Sequence, residues 1–139
     1  MRVLLDTCVI SELRRPQGDP RVTQHVAESE PDSLFLSAIT LGELTKGVAL
    51  LPEGRRKREI ASWLLGLEQQ FTKQILPVDH DVARLWGELT AHAQLQGIQI
   101  PASDGLIAAT AIRHGLHVMT RNTKHFAASG TLIFDPWQS

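Results

Sequence analysis

Four oxygen-bearing side chains, Asp6, Glu43, Asp104 and Asn122, stand where one apolar segment of this sequence gives way to the next. Asp6 closes the run Val3-Leu4-Leu5, and Asn122 follows closely on the run "LHVMT" at 116–120. Glu43 comes shortly after "SLFLS" at 33–37, and Asp104 opens the small-residue stretch "DGLIAATAIRHG". Carboxylates brought together repel, and each raises the pKa of the others unless a cation sits among them. A hard divalent ion resolves the conflict, and Mg²⁺ typically takes one or two carboxylates plus waters. Such an ion promotes in-line displacement at a phosphodiester. If the fold gathers these groups, the chemistry expected is metal-assisted phosphodiester hydrolysis.

The elements decide whether they gather. Residues 2–5 read as a short buried strand, followed by a brief helix through Ser11–Leu13 that Pro16 and Gly18 stop. Asp19-Pro20 reads as cap plus first helical proline, running to about Glu30. A strand at 33–37 precedes a helix over 40–51, with Leu41, Leu44, Val48 and Leu51 at helical spacing. A longer helix covers 54–71, and 74–78 reads as a short strand or an extended entry. Asp79 caps a helix ending near Gln96–Gly97; a helix over 101–115 stops at Gly115; strands follow at 116–120 and within 130–137. Strands alternating with helices indicate an α/β fold with a mostly parallel sheet. In such a sheet the ligand crevice lies outside the carboxyl ends of the strands. Asp6 and Asn122 follow strands, whereas Glu43 and Asp104 are expected in first turns of helices at the same edge, so all four point to one rim.

Each acid also has a structural role open to it. Asp6 caps a helix beginning near Thr7; Thr40-Leu-Gly-Glu43 fits a capping box; Ser103 caps the helix whose first turn holds Asp104. Convergence is the argument for a site.

The 139 residues suit one domain spanning 1–139, with 42% hydrophobic and 21% charged residues, an ordinary globular balance. A net charge of −1 offers no global attraction to nucleic acid, so any such binding needs a local basic patch. With Cys8 alone no intrachain disulfide forms, and a reducing compartment is expected. The start runs into "VLLD", too quickly acidic for a signal peptide, and no apolar run reaches membrane-spanning length. A soluble, cytoplasmic protein is expected.

The segments "LLDTCVISELRR", "LFLSAITLGEL", "DGLIAATAIRHGL", "TRNTKHF" and "DPW" together resemble PIN-domain toxins of the VapC type, especially the FitB-like branch, over essentially the whole chain. That resemblance implies a PIN fold and a Mg²⁺-dependent endoribonuclease in which Mn²⁺ can substitute. It also implies a homodimer and a cognate antitoxin that blocks the site, with DNA reached only through the antitoxin and no membrane. By position, Asp6, Glu43 and Asp104 match the three acidic motif positions as metal ligands, and Asn122 matches a catalytic position where many PIN domains carry a fourth acid. Three positions depart from the pattern: Cys8 stands where Asn is usual, Asn122 is neutral, and His125 replaces a common Asp.

Elsewhere, "GRRKRE" at 54–59 reads first as a solvated helix face, although positive charge at a helix N-terminus opposes the dipole and suits a phosphate or partner contact. Arg121 and Lys124, with Arg14, Arg15 and Arg113, lie nearer the acidic rim and are candidates to hold an RNA backbone. His114 and His117 flank Gly115 and share no helical face, so no zinc site is expected. Cys8 lacks a neighbouring base and reads as a small buried residue; Trp63, Trp86 and Trp137 read as core or interface. The helices at 40–51 and 54–71 carry apolar stripes broad enough to suggest a dimer surface. Two other classes compete: a different Mg²⁺-dependent phosphoester hydrolase, and a catalytically silent binding module on the same fold. Chelator-sensitive cleavage of RNA separates both from the nuclease.

Overall fold

The computed structural model describes residues 1–138. Five short strands, β1 (Val3–Leu5), β2 (Leu34–Ser37), β3 (Ile75–Leu76), β4 (His117–Met119) and β5 (Ile133–Phe134), form a parallel sheet among the described residues. Their order is β3-β2-β1-β4-β5. Parallel neighbours need crossovers, and helices supply them. α1 (Thr7–Arg14) and α2 (Pro20–Glu28) join β1 to β2; α3 (Ala38–Ala49) and α4 (Arg55–Gln70) join β2 to β3. α5 (His80–Leu95) and α6 (Ala102–His114) lead to β4, and α7 (Thr123–Ala127) leads to β5.

The central strand shows why the sheet is covered on both faces. Val3, Leu4 and Leu5 are all at most 1% exposed, the continuous apolar run of a strand buried on two sides. Val3 and Leu5 join a core with Val9, Ile10, Val22, Leu36, Leu64 and Leu67. Leu4 joins the opposite one, with Ile107, Ala108, Val118 and Phe126. α6 is buried through Gly105, Ala108, Ala109 and Ala111, small residues that let it lie close to its neighbours. A Cβ at Gly105 would come 3.0 Å from Trp86 Cδ1 and 3.2 Å from Thr90 Cγ2, so α5 and α6 touch closely there and a methyl would make those side chains give way. α6 ends at Gly115, whose left-handed φ of 67° turns the chain into β4.

The expected α/β class and helix order are present, with corrections at the boundaries. α1 starts at Thr7, directly after Asp6, and is longer than the segment Ser11–Leu13. α3 has no capping box at Thr40 and Glu43. Ser37, the last residue of β2, accepts a hydrogen bond from the Ile39 N–H at 3.0 Å, and the helix begins at Ala38. Strand runs into helix without a loop, so the strand-final serine is the cap, Thr40 is buried, and Glu43 falls in the second turn. α6 starts at Ala102 behind Pro101, so Ser103 is inside the helix rather than its cap, though Asp104 keeps its first-turn place. A short α7 precedes β5, and β5 is two residues long where a longer final strand was expected. Much of the apolar stripe on α3 and α4 is used internally: Leu41, Leu44, Val48 and Trp63 pack on the core, while Leu65 of α4 and Leu50, which closes α3, stand exposed. No helix among the described residues is long and apolar enough to cross a membrane.

Candidate active site

From β1 the chain moves outward to β2 and β3, then returns to place β4 on the other side of β1. The carboxyl ends of β1 and β4 therefore flank the point where strand order reverses, the usual ligand crevice of an open sheet. Asp6 follows β1 and Thr120 follows β4, and the Asp6 N–H donates to the Met119 carbonyl at 3.0 Å. Only 3% exposed, Asp6 is a buried acid. Its Oδ1 accepts from the Thr7 N–H at 2.8 Å, the expected cap of α1. Its Oδ2 accepts from the buried Thr120 hydroxyl at 2.8 Å, and the Cys8 thiol lies 3.6 Å from the same oxygen. Burial pushes the Asp6 carboxyl above its ordinary range; the donors from Thr120 and Thr7 pull it back; the negative charge of Asp104 pushes it up again. Asp6 is thus both a cap and a charge in the field of a second acid from a distant segment.

The other expected residues arrive by separate routes. Asp104, with its side chain 15% exposed in the first turn of α6, holds His125 of α7 at 2.6 Å from Nδ1 to its Oδ2. Glu43 Oε1 accepts from the Thr7 hydroxyl at 2.7 Å. Thr7 therefore ties two acids together, its N–H on Asp6 and its hydroxyl on Glu43. Asn122 sits exposed at the entry to α7, its N–H donating to Thr120 Oγ1 at 2.9 Å, and its side chain makes no cap bond. Arg121 is exposed with its guanidinium 5.3 Å over the ring of buried Trp137, and its N–H reaches the Cys8 sulfur at 3.5 Å. Lys124 stands exposed on α7. A cleft lined by Thr7, Glu43, Trp63, Arg14 and Arg56 shares Arg14 and Arg56 with a neighbouring groove that Arg15 and Gln17 also line. Within the run 54–59, Arg55 pairs with Glu59 and Lys57 with Glu53, which fits the solvated-face reading for those two residues.

Among the described residues no three His, Cys, Asp or Glu side chains close into a ready-made ligand cluster. The donor set nevertheless fits a hard, well-hydrated ion. Asp6 and Asp104 form a repulsive pair that a cation relieves, and Glu43 is one hydroxyl away through Thr7. Mg²⁺ keeps several waters, so it does not need carboxylates drawn into direct contact with one another. Burial and the Asp6 charge push the Cys8 thiol up, which keeps it neutral and leaves the rim an oxygen site. Thr7, Thr120 and His125 contact the expected acids but were not among the candidate site residues read from the sequence. Thr120 had a signal, since a hydroxyl ends the buried run "LHVM" as Asp6 ends "VLL". His125 had only its departure from an expected acid.

The PIN domain family model matches residues 3–130. Toxin FitB of Neisseria gonorrhoeae is 42% identical, the match covering 97% of this chain and 98% of the relative. VapC ribonuclease Y4jK of Sinorhizobium fredii is 39% identical, covering 98% of each. The solved structure of FitAcB from Neisseria gonorrhoeae superposes with a TM-score of 0.94 at 41% identity, over 99% of both chains.

Proposed function

Because the chain belongs to the PIN-domain family, alongside FitB- and VapC-type proteins, we propose that it is a divalent-metal-dependent endoribonuclease and the toxin of a toxin–antitoxin pair. The observation that carries this reading is Asp6: a buried carboxylate at the central strand end, in the field of Asp104, with Glu43 tied beside it. Asp6, Glu43 and Asp104 hold Mg²⁺, with Mn²⁺ as a substitute. When bound, the ion supplies positive charge to the scissile phosphodiester and to the attacking water. The chain's own groups do the positioning. Thr7 and Thr120 fix both oxygens of Asp6, so its geometry is set before substrate arrives. Asn122, whose backbone is held on Thr120, offers a neutral amide at the mouth of the site and makes no contribution to charge. Arg121 and Lys124 take RNA phosphates on the α7 side, contacts that hold the strand without reading its bases.

The cognate antitoxin covers the acid rim and the neighbouring arginine groove, and DNA is engaged only through it. The chain pairs with a second copy as a homodimer, which light scattering of the purified protein checks by mass. A single cysteine whose thiol is kept neutral suits a reducing, cytoplasmic setting. The test is cleavage of RNA by partner-free protein in Mg²⁺, with and without chelator, against an Asp104→Asn control. Cleavage that survives the chelator, or survives the substitution, refutes the proposal. Absence of cleavage in Mg²⁺ and Mn²⁺ alike favours the silent-module reading.

A further inference from the structure

Where the family pattern commonly has an acid, this chain places His125, and its ring nitrogen lies 2.6 Å from Asp104 Oδ2. We infer that His125 is a positioning residue for the metal site: it clamps Asp104 by one oxygen so that the other faces the ion. This rests on the reading of Asp104 as a metal ligand.

The two ends of the contact are fixed independently. Asp104 rides on the first turn of α6, which is packed into the core through Gly105, Ile107 and Ala108. His125 precedes Phe126, which is fully buried, so the backbone of α7 is anchored one residue away. A loose surface pair lacks that support and contributes little. Here the Asp104 side chain is only 15% exposed, and the ring comes from a different element.

An ionised carboxylate can only accept, so the nitrogen facing Asp104 carries the proton, and Nδ1–H donates to Oδ2. One lone-pair site of Oδ2 is thereby filled, and among the described residues Oδ1 has no protein partner. Asp104 is left able to give one oxygen in a defined direction. Groups that hold a metal ligand in this way commonly change metal affinity by 10- to 100-fold when removed. An acid at the same place would repel Asp104 and demand a further cation; the imidazole does the opposite and steadies a single one.

The experiment is calorimetric titration with Mn²⁺ alone, without RNA, on wild type, His125→Ala, His125→Asn and Asp104→Asn, with melting curves of each. Asn puts an amide nitrogen close to where Nδ1 stood. The expected result is an affinity roughly 10-fold weaker for His125→Ala, near recovery for His125→Asn, and an unchanged melting temperature in both. In the metal-free wild type, ¹⁵N imidazole spectra should show Nδ1 as the protonated nitrogen, and Asp104→Asn should remove that bias. If His125→Ala binds Mn²⁺ as wild type does while Asp104→Asn loses it, the positioning role is wrong and the metal reading stands. His125→Asn as weak as His125→Ala likewise overturns the hydrogen-bond argument. If Asp104→Asn binds as wild type does, or wild type binds no Mn²⁺, the metal reading falls and this inference with it.

Discussion

Replacing Thr120 by valine keeps the shape of a fully buried side chain and removes its hydroxyl. Three contacts go: the donation to Asp6 Oδ2 at 2.8 Å, the acceptance from the Asn122 N–H at 2.9 Å, and a weaker contact with the Cys8 sulfur at 3.6 Å. Asn122 is exposed, so water replaces its lost partner at little cost. Asp6 has no such recourse, and a buried bond to a charged group contributes about 1.5–3 kcal/mol. Unfolding entropy near 2.1 cal/mol/K per residue makes about 0.3 kcal/mol/K for this chain, so each kcal/mol moves Tm by roughly 3 °C. Thr120→Val should therefore melt roughly 5–10 °C below wild type at neutral pH. Thr120→Ser should recover most of this, losing only about 0.8 kcal/mol for one methyl. The same hydroxyl holds the Asp6 carboxyl down against burial. Without it the carboxyl rises further, and the acid limb of Mg²⁺-dependent RNA cleavage should move to higher pH. Circular dichroism melts and a pH–rate profile test both parts. A valine variant that melts within about 2 °C of wild type, with an unmoved acid limb, would refute the view that Thr120 supports the charge on Asp6.

Asp6→Asn should abolish cleavage, yet the metal-free variant should melt at or above wild type at pH 7. The folded Asp6 carboxyl lies above 3.8, so the folded chain keeps a proton that the unfolded chain releases, and metal-free stability falls as pH rises from about 3.8 through the folded value. The variant should lack that fall, and a drop of several degrees at pH 7 would show that capping and hydrogen bonding outweigh charge burial. Gly105→Ala presses a methyl against Trp86 and Thr90 beside Asp104, a strain of about 1–3 kcal/mol that the roughly 1 kcal/mol gain in helix propensity only partly offsets. Its cleavage rate, measured well below Tm, should fall because the first turn of α6 is displaced; full activity would count against close helix contact as what places Asp104. Asn122→Asp should gain a second Mn²⁺ site by calorimetry, since three carboxylates do not balance two divalent ions; two ions of similar affinity in wild type would undo this charge argument.

The sheet was legible because Val3–Leu5 and Leu116–Thr120 are short apolar runs that end on polar groups, a pattern tied to strands buried on both faces. The rim followed from topology, since helices between parallel strands return their N-termini to the edge where strands finish. What failed was local. Thr40 and Glu43 carry the right residue types at the right spacing for a capping box, but Ser37 is both strand end and cap, and the helix had begun earlier. Thr40 was free to be buried and Glu43 to meet Thr7, a contact made across |i−j|=36. His125 and Asp104 meet across |i−j|=21, between two helices whose approach depends on the small residues of α6. Sequence spacing reports neighbours along one element; it is silent on which side chains two elements press together.

Asp6 and the hydroxyl that steadies it are separated by |i−j|=114, and β1 pairs with β4 across nearly the same span. The acid is synthesised well before its partner, in chains that emerge at about 5–20 residues per second. Until the stretch from α6 to β4 is made, this polypeptide carries an Asp6 with no Thr120 beside it, no α6 to bring Asp104, and no β4 to fix either. On the proposed function, a fragment that lacks β4 lacks the site as well, and any ability to cut RNA waits until Thr120 has docked beside Asp6.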